Sequence, residues 1–508
     1  LLNEMFLVLL LIVLASIAIW FRIKWGKVKN FWVERGVPHN PPHPIFGSLT
    51  FLQKENPALW MNKLHQQFKA PYIGIWLFWR PALVINSPDL ARRVLVKDAD
   101  NFRNRFLSSG KSDPIGALNI FTVNEPVWST IRRRLTAVFT ASKLRSLEGL
   151  ITEKVANLVE RINQENLKNP DNIITQRDIN ADYTSDVIGE AAFGVRSQST
   201  LTGDSVIRKM TRDFMKFNVF RGLAWSSIFF FPDAVDIFGF SLFPKDTTVF
   251  LRKLFHSIVQ QRGGFDKEVR EPRDLLDALL KMRQDAAIDK EDNNVLITQE
   301  HLLAQAAIFL QGGFDTTATA LTWIYKELAH SPHIQKLYSE LVAARQSYGK
   351  ELDASALTEV HYLNAVIKET LRKFNPMGWF DRIAANDYKI DDSLTIPAGT
   401  VIYVNAFAMM RDPEYFPDPD RFDPDRFMPE NEKNIKPYTY MPFGEGPRNC
   451  IGMRFAYLSI RHALSGIVLN FKIRPAAGAA PPNEWPTEKK GMFLIPDGKV
   501  SLLFTPRE

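Results

Sequence analysis

The chain holds one cysteine, Cys450, inside "FGEGPRNCIG" (Phe443 to Gly452). A cysteine thiolate is a metal ligand and a nucleophile. Apolar residues recur at helical spacing after it, so Cys450 lies at a helix N-terminus, where the dipole and free N–H groups favour the thiolate. Gly444 and Gly446 permit unusual backbone angles and Pro447 stiffens the turn, so that the loop can aim N–H groups at the sulfur. Gly452 leaves room for something flat, and Arg448 offers a fork to a carboxylate. A thiolate beside a flat dicarboxylate partner describes a haem with a cysteine axial ligand. The plain alternative is a buried small hydrophobe. A catalytic nucleophile would need a histidine base, and the nearest downstream candidate is His462, twelve residues on.

Three further groupings have the right residue types. "GGFDTT" (Gly312 to Thr317) sits inside a long helical pattern. Two interior glycines cost roughly 1 kcal/mol each against alanine, so the stretch needs a reason. A kink or a helix crossing is one. Beside a haem, Asp315 and Thr316 supply an acid and a hydroxyl for proton delivery. Glu369 and Arg372 form an i,i+3 pair that alone reads as a solvated salt bridge. Trp128 and Arg132 share one helix face. The plain alternative for any single arginine, Arg105 included, is a surface charge.

These segments together resemble the cytochrome P450 family. "FGEGPRNCIG" fills every fixed position of its F-x-x-G-x-R-x-C-x-G signature, and "GGFDTT" resembles its [AG]-G-x-[DE]-T-[TS] oxygen-activation motif. "ETLR" resembles its E-x-x-R, "PDRF" its P-E-R-F with Asp425 in place of Glu, and "WSTIR" its W-x-x-x-R. The resemblance implies haem b, with Cys450 as the iron ligand. It implies cofactor contacts from Arg105, Trp128, Arg132, Gly312, Gly313, Arg382, Phe443, Arg448 and Gly452. Asp315 and Thr316 would relay protons, with Gly312 and Gly313 opening the helix for oxygen. Glu369, Arg372 and Arg426 would form a buried structural triad that holds the cysteine loop.

The implied activity is that of an unspecific monooxygenase, inserting one atom of dioxygen into apolar small molecules. "GPRNCIGMRFA" is similar to insect microsomal detoxification members, which suggests xenobiotics such as plant allelochemicals or insecticides. Electrons would come from NADPH through a separate flavoprotein reductase, with cytochrome b5 a further candidate partner. "GEGPRN" lacks the last glycine of a dinucleotide fingerprint. Arg133 and Arg134 are candidates for a basic docking face. Phe121, Phe214, Phe309, Gly313 and Ala320, with the stretch from Ser108 to Phe121, are candidate pocket residues. Two rival readings are a reductase-independent haem-thiolate isomerase or dehydratase, and a non-enzymatic haem-binding protein. Asp315 and Thr316 argue against the first.

The elements that must position these residues are also readable. Composition is 45% hydrophobic with 37 Phe, enough for a large core and an apolar pocket. The net charge of +7 favours acidic partners or anionic membranes; the basic run at Arg132–Arg134 is too short for a nucleic-acid tail. A single cysteine rules out an internal disulfide, in keeping with a cytosolic catalytic body. Met5 to Phe21 is an apolar run followed by Arg22, Lys24, Lys27 and Lys29, which predicts a membrane anchor with the remainder on the cytosolic side. A signal peptide cut near Ser16-Ile17-Ala18 is the alternative, and the lack of a basic start argues against it. By resemblance the anchor lies in the endoplasmic reticulum membrane, touching lipid.

The expected division is an anchor and basic stop (1–29), a proline-rich hinge (30–50) and a catalytic domain (51–508). The fold class is mainly α with a minor β region. By resemblance it is the cytochrome P450 fold, with haem between a long central helix and the cysteine loop. Two strands flank a turn at Arg80-Pro81, and short strands follow Asp387. Arg283 to Thr298 reads as a polar loop. A helix runs from Gln299 to His330, capped by Thr298 and stopped by Pro332, roughly 48 Å at 1.5 Å per residue. A second helix ends at Asn375-Pro376. Phe214 to Phe243 carries nine Phe and reads equally as core or as a membrane-dipping or pocket-lining segment.

Overall fold

The computed structural model describes residues 2–169, 171–288, 296–349 and 351–508. In chain order, the elements that bear on the site are α1 (Leu2–Asn30), β1 (Tyr72–Leu77), β2 (Arg80–Ile85) and α2 (Val127–Thr136). They continue with α3 (Gln176–Phe193), α4 (Val206–Phe214), α5 (Val219–Phe230), α6 (Asp233–Phe238) and α7 (Leu275–Ile288). Last come α8 (Gln299–Ala329), α9 (His361–Lys373), β3 (Phe380–Ile383), β4 (Val401–Val404) and α10 (Met453–Asn470). The fold is helical, with a four-stranded, a three-stranded and a two-stranded sheet.

Helix α8 is the axis. Thr298 caps it and His301 closes a capping box, each side chain meeting the other's backbone N–H. Most of its length is buried, and its last residue is Ala329, with His330 as the cap. It crosses α3, itself buried almost throughout, at Gly313. A Cβ there would stand 2.5 Å from the Ile188 side chain, so the glycine allows the two helices to touch. Helix α9 stops at Lys373, two residues short of expectation. Phe374 leaves helical geometry and stacks on Trp323 of α8 at 4.0 Å.

The four-stranded sheet has the order β1-β2-β4-β3, with β2 and β4 parallel and the other pairs antiparallel. The first turn falls at Phe78-Trp79 rather than Arg80-Pro81. Arg80 and Pro81 pair with Leu77 and Trp76 at the start of β2, where a strand tolerates proline. The segment expected as a hinge is docked on this sheet. Trp32 is fully buried against Gly74 and donates to the Ile75 carbonyl at 3.0 Å, and His39 bridges to Gly74.

Two expectations need correction. The polar loop expected from Arg283 begins later, because α7 runs to Ile288, with Met282 and Ala286 buried on its apolar face. Residues 289–295 of that stretch lie outside the described residues. The Phe-rich segment runs from the last residue of α4 through two short helices, α5 and α6, with divided roles. Phe214 and Phe243 pack together in the core, Trp225 and Phe229 face the main cavity, and Phe220, Ile237 and Phe238 are exposed. The one described helix long and apolar enough to cross a membrane is α1, over Met5–Asn30, and none of its apolar stretch is buried. Trp20, Phe21 and Trp25 of α1 all contact Trp79 at the sheet turn.

Candidate functional site

A cavity lies between the middle of α8 and the Cys450 segment, closed by α5, the 105–121 loop and the chain after α9. Cys450 sits just before α10, with Gly452 as the helix cap. Its N–H donates to the Phe443 carbonyl at 2.9 Å. The accessible surface of Cys450 belongs to the cavity, and dense protein surrounds it elsewhere. Burial pushes the thiol up. The N–H of Gly452, the Arg132 and Arg105 charges and the N–H of Met453 pull it down, less strongly. The N–H groups that favour the thiolate thus belong to Gly452 and Met453, after the cysteine. Gly446 has another task. Its φ is +73° and an added Cβ would lie 1.8 Å from the Leu95 carbonyl, so only glycine lets the loop seat there.

Arg105, Arg132, Arg382 and Arg448 all line this cavity. Arg105 is not a surface charge. Its Nε is buried with no partner, and its guanidinium stands 4.5 Å from the Phe121 ring. Arg132 donates to the Asn449 side chain at 2.6 Å. Arg382 donates to the Asp381 carbonyl at 2.7 Å, and burial lowers it to about 9. Arg448 spends much of its fork on the chain. It donates to the carbonyls of Arg103 (2.8 Å) and Val123 (3.0 Å), and stacks 4.1 Å over Trp128. Burial lowers it to about 8, and Arg105 and Arg382 push the same way. Nearby Asp381 already accepts from the N–H groups of Phe106 and Leu107.

Arg105, Arg382 and Arg448 share the one carboxylate of Asp381, and with Arg132 they give the cavity an excess of positive charge, which calls for anions. Gly452 offers open space: a Cβ there would meet only the Cys450 sulfur, at 4.0 Å. A flat, apolar dianion with an affinity for thiolate fits these residues. Haem has those properties.

On α8, Gly312 and Thr316 line the cavity one turn apart, and Thr316 donates to the Gly312 carbonyl at 2.7 Å. A Cβ on Gly312 would meet nothing within 4 Å, so this glycine opens the helix; Gly313 lines the cavity and also serves the crossing with α3. Asp315 lies off the cavity wall, buried, with Oδ2 unpartnered. Burial raises its carboxyl to about 6, against the pull of Arg177 and Arg208.

Behind the cysteine loop, Glu369 and Arg372 are completely buried and bonded through two contacts, 2.7 and 2.9 Å. Arg372 also donates to the carbonyls of Met410 and Pro419. Arg426 approaches Glu369 at 3.6 Å and donates to the Asp418 carbonyl. This pair is no solvated salt bridge.

Of the expected pocket residues, Phe121, Phe309, Gly313 and Ala320 line the cavity, as do Phe443 and Gly452. Phe214 does not: it packs on Phe243 and Phe314 in the core. Trp225 and Phe229, inside the Phe-rich segment read as pocket-lining, do line it, and Phe493, Gln311 and Asn375 line it without having been singled out. The aromatic run containing Trp225 and Phe229 was a signal; nothing local marks Phe493. His462 is no base for Cys450, since it faces the Leu458 carbonyl and Glu148.

A helical fold with one cysteine opening onto an arginine-ringed apolar cavity defines a haem-thiolate protein. The chain belongs to the cytochrome P450 family, whose model matches residues 37–504. It is 32% identical over 495 residues to "Cytochrome P450 6k1" of Blattella germanica, covering 94% of this chain and 93% of that protein. It is 32% identical to "Probable cytochrome P450 6g2" of Drosophila melanogaster, covering 92% and 93%. It is 33% identical to "Cytochrome P450 3A28" of Bos taurus, covering 93% and 91%. The family's members are haem monooxygenases with a cysteine-thiolate ligand, taking NADPH-derived electrons through a reductase.

Proposed function

We propose that this chain is a membrane-anchored monooxygenase of broad range, acting on apolar xenobiotics. The observation that carries the reading is Cys450 opening onto a cavity ringed by four arginines, with Thr316 on its wall. The balance is one substrate C–H, one dioxygen, one NADPH and one proton, giving an alcohol, water and NADP+. Bound haem supplies the oxygen activation that no side chain can. Cys450 would ligate the iron, and Arg105, Arg132 and Arg382 would hold the carboxylates. Arg448 fixes the 103–124 chain beside them. Thr316 would turn its hydroxyl from the Gly312 carbonyl to hand over a proton. Asp315, raised to about 6, retains a proton more readily than a free aspartate and would replenish it. The aromatic wall excludes water and holds the substrate. Glu369, Arg372 and Arg426 would brace the cysteine loop.

Residues 1–29 would anchor the chain in the endoplasmic reticulum membrane, residues 30–50 would set the distance, and residues 51–508 would face the cytosol. Exposed Phe220, Ile237 and Phe238 support a further lipid contact. A flavoprotein reductase, and cytochrome b5, would dock on the face that carries Arg133 and Arg134; charge reversal there should slow reductase-driven turnover and spare peroxide-driven turnover. The decisive test is turnover of cyclododecane with NADPH, a flavoprotein reductase and 18O-labelled dioxygen. Labelled cyclododecanol is expected. Loaded protein that yields no NADPH-dependent product would overturn the reading.

A further inference from the structure

Among the described residues, three carry a buried, unpartnered polar side-chain atom and also line the cavity: Arg105, Gln311 and Asn375. Arg105 belongs with the carboxylate-binding arginines. The two amides do not, and the proposed chemistry has no use for them. Gln311 is 5% exposed and Asn375 is 1% exposed.

The contrast with Gln305, earlier on α8, is informative. The oxygen of Gln305 accepts from Ile120 N–H at 2.7 Å, and its nitrogen donates to the carbonyls of Leu118 and His301. That amide is structural and satisfied. Gln311, six residues on, has its Oε1 sealed without a donor. Asn375 uses Oδ1 to accept from Met377 N–H at 3.4 Å, which leaves Nδ2 as a buried donor without an acceptor. A buried amide with no partner is unfavourable in an apolar wall, so such groups call for an explanation. Apart from the four arginines, Asn449 and the two threonines, the rest of the lining is mainly aromatic and aliphatic, and a few polar groups in such a lining are what orients a small molecule.

We infer that Gln311 and Asn375 form a polar subsite that selects oxygenated lipophiles over hydrocarbons of the same shape. Asn375 donates to a carbonyl or hydroxyl oxygen. Gln311, which can present either end of its amide, takes a second polar group. The inference rests on the monooxygenase reading above and narrows its substrate class. A site built to hydrogen-bond a substrate discriminates strongly against an analogue lacking the group, whereas apolar contact alone discriminates weakly.

The test measures affinities of cyclododecanone and cyclododecane from the change each causes in the Soret band of the haem-loaded protein. Wild type, Asn375→Leu and Gln311→Leu are compared. The ratio of ketone to hydrocarbon affinity should fall about tenfold in Asn375→Leu, with hydrocarbon affinity unchanged or tighter. Gln311→Leu should produce the same change with a hydroxyketone of the same ring. Ratios unchanged within about twofold in both variants, or equal weakening of both ligands, would mean that the amides only fill space. Infrared spectroscopy of carbonyl-labelled cyclododecanone bound to wild type decides independently of any variant. A carbonyl stretch lowered from its value in hexane is expected, and an unshifted band contradicts the subsite. A normal thiolate-haem spectrum with cyclododecane bound and no ketone preference sinks the subsite alone. Failure of every lipophile to perturb the band sinks the substrate reading with it.

Discussion

The wall that holds Cys450 and the aromatic wall across the cavity are built by different means. Behind Cys450 the chain is fixed by buried charge and main-chain hydrogen bonds. Glu369 and Arg372 are sealed together, Arg448 grips the carbonyls of Arg103 and Val123, and Gly446 seats against Leu95. Across the cavity, Trp225, Phe229, Phe121 and Phe493 meet through rings, which permit many nearly equivalent packings. Hydrogen bonds tie that wall to its surroundings as well, among them Arg221 donating to the Ser241 and Leu242 carbonyls and Tyr403 donating to the Phe229 carbonyl. Asp113 accepts from Leu242 N–H at 2.7 Å, and Asp236 of α6 accepts from Lys111 and Ser112 N–H at 3.2 and 2.8 Å. On the proposed function, the side built on buried charge serves the reaction and the side built on stacked rings serves the substrate.

The comparison breaks most readily at Glu369. Glu369→Ala would strand Arg372 as an unpaired buried cation, costing about 3–5 kcal/mol. Denaturant unfolding and the yield of haem-loaded protein would both register it. A loss under about 1 kcal/mol would mean that the pair is no brace.

Arg105→Leu separates fold from cofactor. Its Nε is buried with no partner, so removal of the side chain should leave the apoprotein as stable or more so. Transfer of haem to apomyoglobin should quicken about tenfold, the scale of one charge-assisted hydrogen bond. Unchanged transfer would remove Arg105 from the cofactor site.

Thr316→Val tests α8. Product formed per NADPH should fall by about tenfold to a hundredfold, within the usual contribution of a positioned proton donor. Ligand affinities should stay within about twofold, because a methyl replaces only the hydroxyl.

The smallest effect belongs to the aromatic wall. The N–H of Ser112, with its hydroxyl, and then the N–H of Lys111 hold the Asp236 carboxyl below its ordinary value. A depressed acid stabilises the fold above its unfolded pKa, near 3.9, and loses that contribution as pH falls through the lower folded value. At neutral pH the tie is therefore fully present. Asp236→Asn should quicken exchange of the Lys111 and Ser112 amides severalfold and leave the haem spectrum unchanged. No change in exchange would dismiss Asp236 as a tie.

The same contrast explains what the sequence made legible. Cys450 stood out by its own surroundings in the sequence, whereas Thr316, Glu369 and Arg372 stood out only through their match to spaced family motifs. Helix α8 was readable nearly to the residue, because its cap at Thr298 and stop at Pro332 are local signals. Pocket shape is met by whichever apolar side chains fit together, so Phe493 gave no sign and Phe214 pointed to the wrong surface. Both readings of Gly313 hold, because it lines the cavity and also lets α8 cross α3 at Ile188. Arg105 looked like a surface charge because burial of an arginine depends on long-range packing. The docking of residues 30–50 depended likewise on Trp32 meeting Gly74, a contact that spacing does not announce.

The most direct measurement is the absorption spectrum of the dithionite-reduced, carbon monoxide-bound protein beside Cys450→Ala. The account predicts the strongly red-shifted Soret band of thiolate-ligated haem in the parent and its loss in the variant. A parent band at the position typical of histidine-ligated haem, or one that survives in Cys450→Ala, would contradict it.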